Sequence, residues 1–311
     1  CYNGSMANSD YQDRARGMLV GLAVGDALGA PVEFLPDPSD VYIKEMGDKI
    51  EHFHKNYRAP EGVWTDDTEM ALCIADSLLV NEGYDSYDIM RRFRAWSEEG
   101  YRTYDDKPAH DVGMQTSRAI DEFIAHPVVP KDYPKTESAG NGAIMRLAPI
   151  IIANTFLNKK YPTLQDGFKK GKLIIDPKDD DGEFIDLKDI TPTIDMAVLS
   201  CRETHNSIAA EATTALFATM LYCALHRLSK DNIASYCGRW IMNEEYDHFY
   251  LNNYEKLINR TLEKDGEKLC NLGGYIVDAF TIALWGLMNF NNFKDGMMAV
   301  IRLGGDTDTN G

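Results

Sequence analysis

Apolar residues recur at helical spacing along most of this chain, and the alternation of β-branched and polar residues that marks strands is nearly absent. The first pattern gathers Met18, Leu19, Leu22 and Ala23 and runs into Gly25 and Gly29, which read as its stop. Further helical patterns cover about 67–80, 87–97, 112–125, 143–153, 193–203, 207–228, 232–242 and 275–288, with a short one at 293–302. Alanine- and leucine-rich stretches such as Ala209 to Ala224 allow helices to pack closely. These elements predict an all-α fold. Two polar segments, Pro36 to Gly62 and Asn158 to Asp189, are too poor in apolar residues to form a domain and read as surface excursions. The expectation is one compact multi-helix bundle over residues 7–311.

With 311 residues and 44% hydrophobic content the chain can bury a substantial core. Its 49 acidic against 32 basic residues give a net charge of −17, which repels nucleic-acid phosphates and anionic lipid surfaces. The densest basic run, Arg91, Arg92 and Arg94, is interleaved with Phe93 and Trp96 and reads as the solvated face of an amphipathic helix. The apolar runs Leu147 to Ala153 and Ala279 to Met288 fall short of the roughly 20 residues that cross a bilayer. Neither nucleic acid nor membrane is therefore an expected partner. The six cysteines contain no Cys-x-x-Cys pair and sit among apolar neighbours, as small core residues do, which predicts a reducing, cytoplasmic setting. Residues 1–5 read as a cloning remnant ahead of a native start.

Oxygen-bearing side chains cluster at three distant places: Asp26 and Glu33 in GDALGAPVEF, residues 65–68 in WTDDTEM, and residues 306–309 in RLGGDTDTNG. Carboxylates and hydroxyls without histidine or thiolate suit magnesium, manganese or calcium rather than zinc. Each cluster has a plainer reading. Asp66 as N-cap with Glu69 closing a capping box would make the second block an ordinary helix start. Asp306 to Gly311 matches the first half of an EF-hand calcium loop, although Gly304-Gly305 before it suggests a tight turn that delivers side chains into a site. A second calcium-loop look-alike, Asp179 to Gly182, fails in register and reads as a surface turn. Gly140 to Arg146 resembles a helix start whose free N–H groups could hold an anion, and Thr204-His205-Asn206 reads equally as a cap with a structural histidine.

Together these blocks resemble the ADP-ribosylglycohydrolase family, which includes the dinitrogenase reductase-activating glycohydrolases and the ADP-ribosylhydrolases of animals. The matching segments are GDALGAPVEF at 25–34, WTDDTEM at 64–70, GNGAIMRLAP at 140–149, ETHNSIAAEA at 203–212 and RLGGDTDTNG at 302–311. The resemblance implies a compact all-α domain with two magnesium ions, or manganese, in a cleft for ADP-ribose. It implies metal ligands at Thr65, Asp66, Asp67, Asp306, Asp308 and Thr309, with Asp308 bridging. Glu33, Asp67 and Asp111 are the implied catalytic groups, Glu33 as general base or water-positioning residue. Asn141, Gly142 and Ala143 would face the diphosphate and His205 the nucleotide side. Because Asp111 in HDVGMQT can pair with a guanidinium, the implied substrate is a protein ADP-ribosylated on arginine rather than serine, with ADP-ribose as product. Members of that family normally continue past DTDTNG into another helix, whereas this sequence stops at Gly311. A catalytically silent relative and a calcium-binding module are the competing readings.

Overall fold

The computed structural model describes residues 6–34, 62–128, 138–156, 187–241 and 272–311. Among them the chain is all-α: α1 (Met6–Gly29), α2 (Asp66–Asn81), α3 (Ser86–Glu99), α4 (Met114–Ala125), α5 (Ala148–Phe156), α6 (Leu187–Thr204), α7 (Ile208–Leu225), α8 (Lys230–Ile241), α9 (Ile276–Asn289), α10 (Phe293–Arg302) and α11 (Thr307–Asn310). Single 3-10 turns lie at Ala30–Val32 and Asn141–Ala143, and one isolated antiparallel bridge joins Gly140 to Tyr275.

Helix α7 is the centre of the bundle, packing on α6, α8, α9 and α5. Its alanines at 209, 210, 212, 215 and 218 are buried, so neighbouring backbones approach from several sides. Ser207 caps it by accepting from the Ala210 N–H at 3.1 Å. Helix α3 shows the other regime, one apolar stripe. Ile89, Phe93 and Trp96 are fully buried while Arg91 and Arg94 face outward, Arg91 on Asp88 at 2.7 Å and Arg94 on Glu98 at 2.7 Å. Arg91 and Arg94 thus lie on the outer face of a core helix, whereas Arg92, the third residue of the basic run, is largely covered and pairs with Asp88 at 2.6 Å.

Several expected boundaries are corrected. Helix α1 begins well before Met18 and passes through Gly25 instead of stopping there. Gly25 and Gly29, one turn apart, form the strip on which α1 meets α11. A Cβ on Gly25 would lie 2.3 Å from the Gly311 carbonyl carbon, and one on Gly29 would lie 2.1 Å from the Thr307 carbonyl oxygen. These glycines are contact surface, not punctuation. The expected helix over 143–153 is broken: a 3-10 turn ends at Ala143, and α5 starts only at Ala148. Pro149 explains the break, since a proline has no N–H to give to residue 145 and its ring would strike that carbonyl. Helix α6 starts at Leu187, inside the segment read as an excursion. The rest of that segment, most of the other polar excursion and the look-alike at 179–182 lie outside the described residues.

Cys73, Cys201, Cys223 and Cys237 are free and buried, as expected of core cysteines; Cys1 and Cys270 lie outside the described residues. The expectation that no segment reaches spanning length is also corrected, because Ser9–Val32 and Ile208–Leu225 are long and apolar enough by composition. The second is the central core helix, with 78% of its apolar window buried inside the fold.

The α1–α11 contact yields a paired test. Gly29→Ala should destabilise the protein by about 1–3 kcal/mol or more through backbone overlap. Gly17→Ala, on the same helix with open space around its Cα, should stabilise by up to about 1 kcal/mol. Urea unfolding of both variants checks the contrast, and equal effects would refute the close approach.

Candidate active site

Three chain segments meet beside the α1–α11 contact. The first is the end of α1 and the 3-10 turn after it, which carry Asp26 and Glu33. Asp26 is buried, and its carboxylate accepts from the Thr65 N–H at 2.9 and 3.0 Å and from the Thr65 hydroxyl at 2.8 Å. It also accepts from the Thr68 N–H at 3.1 Å and the Thr68 hydroxyl at 2.6 Å. Asp26 therefore caps α2 from another helix, satisfying N–H groups that no local side chain reaches. This corrects the capping-box reading. Thr65, not Asp66, holds the N-cap position, and Glu69 accepts instead from the Trp96 indole N–H at 2.6 Å and the Tyr104 N–H at 3.1 Å.

The second segment is the first turn of α2, and the third is the tight turn at Gly304 and Gly305 leading into α11. Both of those glycines have positive φ, 80° and 77°, which lets the chain reverse in two residues. The turn is pinned by the Phe34 N–H donating to the Gly305 carbonyl at 2.7 Å and the Asp306 N–H donating to the Leu272 carbonyl at 2.9 Å. Thr307 then donates its hydroxyl to the Gly29 carbonyl at 2.7 Å. The segment closes as a single helical turn, Thr307–Asn310.

These constraints bring the acidic side chains together. Carboxylate oxygens of Glu33, Asp306 and Asp308 all lie within 4.8 Å of one another. The Thr65 hydroxyl reaches Asp308 at 3.4 Å, and the Thr309 hydroxyl reaches Asp67 at 3.4 Å. Burial, followed by repulsion from Asp111, Asp26 and Glu33, pushes the Asp66 carboxyl well above the usual carboxylate range. Burial, with Asp26 and Asp66, does the same to Asp67, and burial, with Asp67 and Glu33, to Asp308. Asp111 is half-buried and is raised by burial and then by Asp306. Among the described residues no ion pair involves Asp67, Asp306 or Asp308; their contacts are hydroxyls, amides and other carboxylates. Buried like charges of this kind suit a divalent cation held by hard oxygen donors.

Asn141 joins the cluster by donating its side-chain amide to Asp306 at 3.0 Å. Its own N–H donates to the Gly274 carbonyl at 3.0 Å, so the expected helix start with free N–H groups becomes one 3-10 turn with that donor already engaged. Gly142 lies against His205: a Cβ there would stand 2.9 Å from the imidazole Cε1. Ala143 is fully buried in the core, so it can address a ligand through its backbone alone. Sequence reasoning named Asp26 without giving it a role and passed over Arg146, whose guanidinium is fully buried behind His205. No sequence signal marked the role of Asp26, because the WTDDTEM block offers capping candidates of its own; an arginine inside an apolar run, IMRLAPIII, was the sign of the second.

The family model described as ADP-ribosylglycohydrolase matches residues 7–166 and 184–311. The ADP-ribosylarginine hydrolase Tri1 of Pseudomonas putida is 27% identical over 298 residues, covering 96% of this chain and 67% of that protein. The ADP-ribosyl-[dinitrogen reductase] glycohydrolase of Rhodospirillum rubrum is 33% identical over 156 residues, covering 48% of this chain and 47% of that one. A solved ADP-ribosylglycohydrolase-related protein complex superposes with a TM-score of 0.66 at 27% identity, covering 97% of this chain and 84% of that chain.

The crowding of carboxylates predicts a pH-dependent cost. A carboxyl whose pKa is raised on folding binds its proton more tightly in the folded state, so stability falls as pH rises from the unfolded value through the folded one. In chelator, Asp308→Asn should therefore stabilise the protein at pH 7 by on the order of 1 kcal/mol or more. That gain should shrink as pH drops toward about 4, where the unfolded carboxyl also takes up its proton. Urea titrations at the two pH values test it, and a variant less stable at pH 7 would contradict it.

Proposed function

We propose that this chain, which belongs to the ADP-ribosylglycohydrolase family, removes ADP-ribose from arginine side chains of modified proteins at a site that works with two divalent cations, magnesium or manganese. The observation that carries this reading is the convergence of Glu33, Asp306 and Asp308 within 4.8 Å, with the Thr65 hydroxyl on Asp308 and the Thr309 hydroxyl on Asp67. Asp67, Asp306 and Asp308 are buried carboxylates without an ion pair among the described residues, a costly arrangement unless a metal neutralises it. Thr65, Asp66, Asp67, Asp306, Asp308 and Thr309 would hold the ions. When bound, the ions supply positive charge against the ribose hydroxyls and acidify a water.

The chain's own groups carry the rest. Breaking the bond at the anomeric carbon develops positive charge on the sugar, which fixed carboxylates stabilise without reorganisation. Glu33 stands beside Asp306 and Asp308, where its carboxylate can orient the attacking water and accept a proton from it. Asp111 lies close enough to Asp306 and Asp66 for mutual repulsion and offers two oxygens to the guanidino group, which takes the bonding electron pair, departs as neutral guanidine and regains its positive charge by taking up a proton, balancing the one the attacking water gives up. The segment bearing Asp111 is tied to α2. Arg102 pairs with Asp76 through both nitrogens at 2.6 and 2.8 Å, Tyr101 donates to Asp76 at 2.6 Å, and the Tyr104 N–H donates to Glu69. The arginine preference draws support from Asp111 and from the name of the Pseudomonas relative.

The deciding assay measures ADP-ribose release from arginine-modified and serine-modified proteins, each with magnesium and with chelator. Chelator-sensitive release from the arginine substrate is expected, and Asp67→Asn or Asp308→Asn should abolish it with helical content intact. Asp111→Asn should lower kcat/KM on the arginine substrate by about 100-fold, the scale of losing a charge-assisted contact made mainly in the transition state. Release from serine alone would remove the role of Asp111. Silence on both substrates despite ADP-ribose binding would make the chain a non-catalytic relative.

A further inference from the structure

Behind the Asn141–Ala143 turn lies a chain of buried polar groups that the reaction scheme does not use. Arg146 is fully buried, with its guanidinium 4.7 Å over the Phe93 ring. Its Nη2 donates to the Ser200 carbonyl at 2.9 Å and to the Thr204 hydroxyl at 2.7 Å, and its Nη1 approaches the Met70 sulfur at 3.6 Å. The Thr204 hydroxyl is also 2.7 Å from Nδ1 of His205. These are the two polar neighbours of that hydroxyl among the described residues. A guanidinium can only donate, so Arg146 occupies a lone pair of the Thr204 oxygen and leaves its hydrogen a single acceptor, the imidazole Nδ1.

We propose that Arg146 and Thr204 are positioning residues that lock His205 as the neutral imidazole with its proton on Nε2, presenting one fixed donor beside the Gly140–Gly142 turn to an acceptor atom of the ligand. The glycines let the turn lie against the ring edge. A Cβ on either Gly140 or Gly142 would be 3.2 Å from Nε2. Between them Asn141 reaches Asp306, so the ring and the acidic cluster share one wall. The imidazolium is excluded by the same hydrogen bonds, because a proton on Nδ1 would give the threonine oxygen two donors and strand its own hydrogen inside the core. In agreement, burial and then the Arg146 charge hold His205 down to about 3. At neutral pH this histidine is therefore a donor, not an acid.

The ligand half of this assignment rests on the reading of the chain as an ADP-ribose hydrolase; the tautomer half does not. Long-range proton–nitrogen correlation spectra of the ¹⁵N-labelled full chain separate protonated from unprotonated ring nitrogens. For His205 the expected result is a protonated Nε2 and an unprotonated Nδ1 at pH 7. Thr204→Ser should keep that pattern, whereas Thr204→Val should populate the other tautomer and weaken ADP-ribose binding about tenfold. A protonated Nδ1 in the wild-type protein would overturn the proposal without any variant having to fold. So would a tautomer that Thr204→Val leaves unchanged. An Nε2–H wild-type ring in a protein that does not bind ADP-ribose would overturn the ligand half and the hydrolase reading while leaving the relay in place.

Discussion

Helix α1 approaches the Asp306–Gly311 turn so closely that a side chain at Gly25 or Gly29 would overlap backbone atoms of that turn. The acidic site depends on this contact. Between the two glycines on the same helix sits Asp26, whose carboxylate reaches across to cap α2. One stretch of helix thereby sets the position of both acidic blocks, one through backbone contact and the other through a buried hydrogen-bonded carboxylate. Interiors packed at this density do not deform gradually. The separations among Glu33, Asp67, Asp306 and Asp308 are consequently imposed by the scaffold rather than chosen by the carboxylates, which repel each other.

The result is a site under electrostatic load. Folding holds like charges together with no basic side chain paired to Asp67, Asp306 or Asp308 among the described residues, and that cost is the reason to expect divalent cations there. It also resolves the apparent conflict between a net charge of −17 and a diphosphate ligand. Positive charge can be supplied locally without a basic surface. Beside the cluster the chain supplies neutral polar groups: the amide of Asn141, donated to Asp306, and the imidazole of His205 with Arg146 buried behind it.

Most helices were legible from spacing alone, because α2, α3, α7 and α9 each bury an apolar face or their whole circumference. What escaped local reading was non-local in origin. Gly25 and Gly29 look like a helix stop unless the partner backbone is known. The missing cap of α2 is supplied by Asp26 from 39 residues upstream, so the capping-box pattern pointed to the wrong groups. Pro149 forbids a continuous helix through 143–153, a local signal that the strong apolar run around it masks. The carboxylates were recognisable as a group through their resemblance to a family, whereas the spacing of each block alone also allowed ordinary caps and turns.

The central claim is that this acidic cluster is built around divalent cations. Crystals of the protein grown with manganese, with diffraction collected at the manganese edge, locate the ions directly by anomalous scattering. The account predicts manganese between the carboxylates of Asp67, Asp306 and Asp308, with Glu33 beside it. An ordered cluster without manganese at millimolar concentration, or manganese bound only elsewhere, would contradict it.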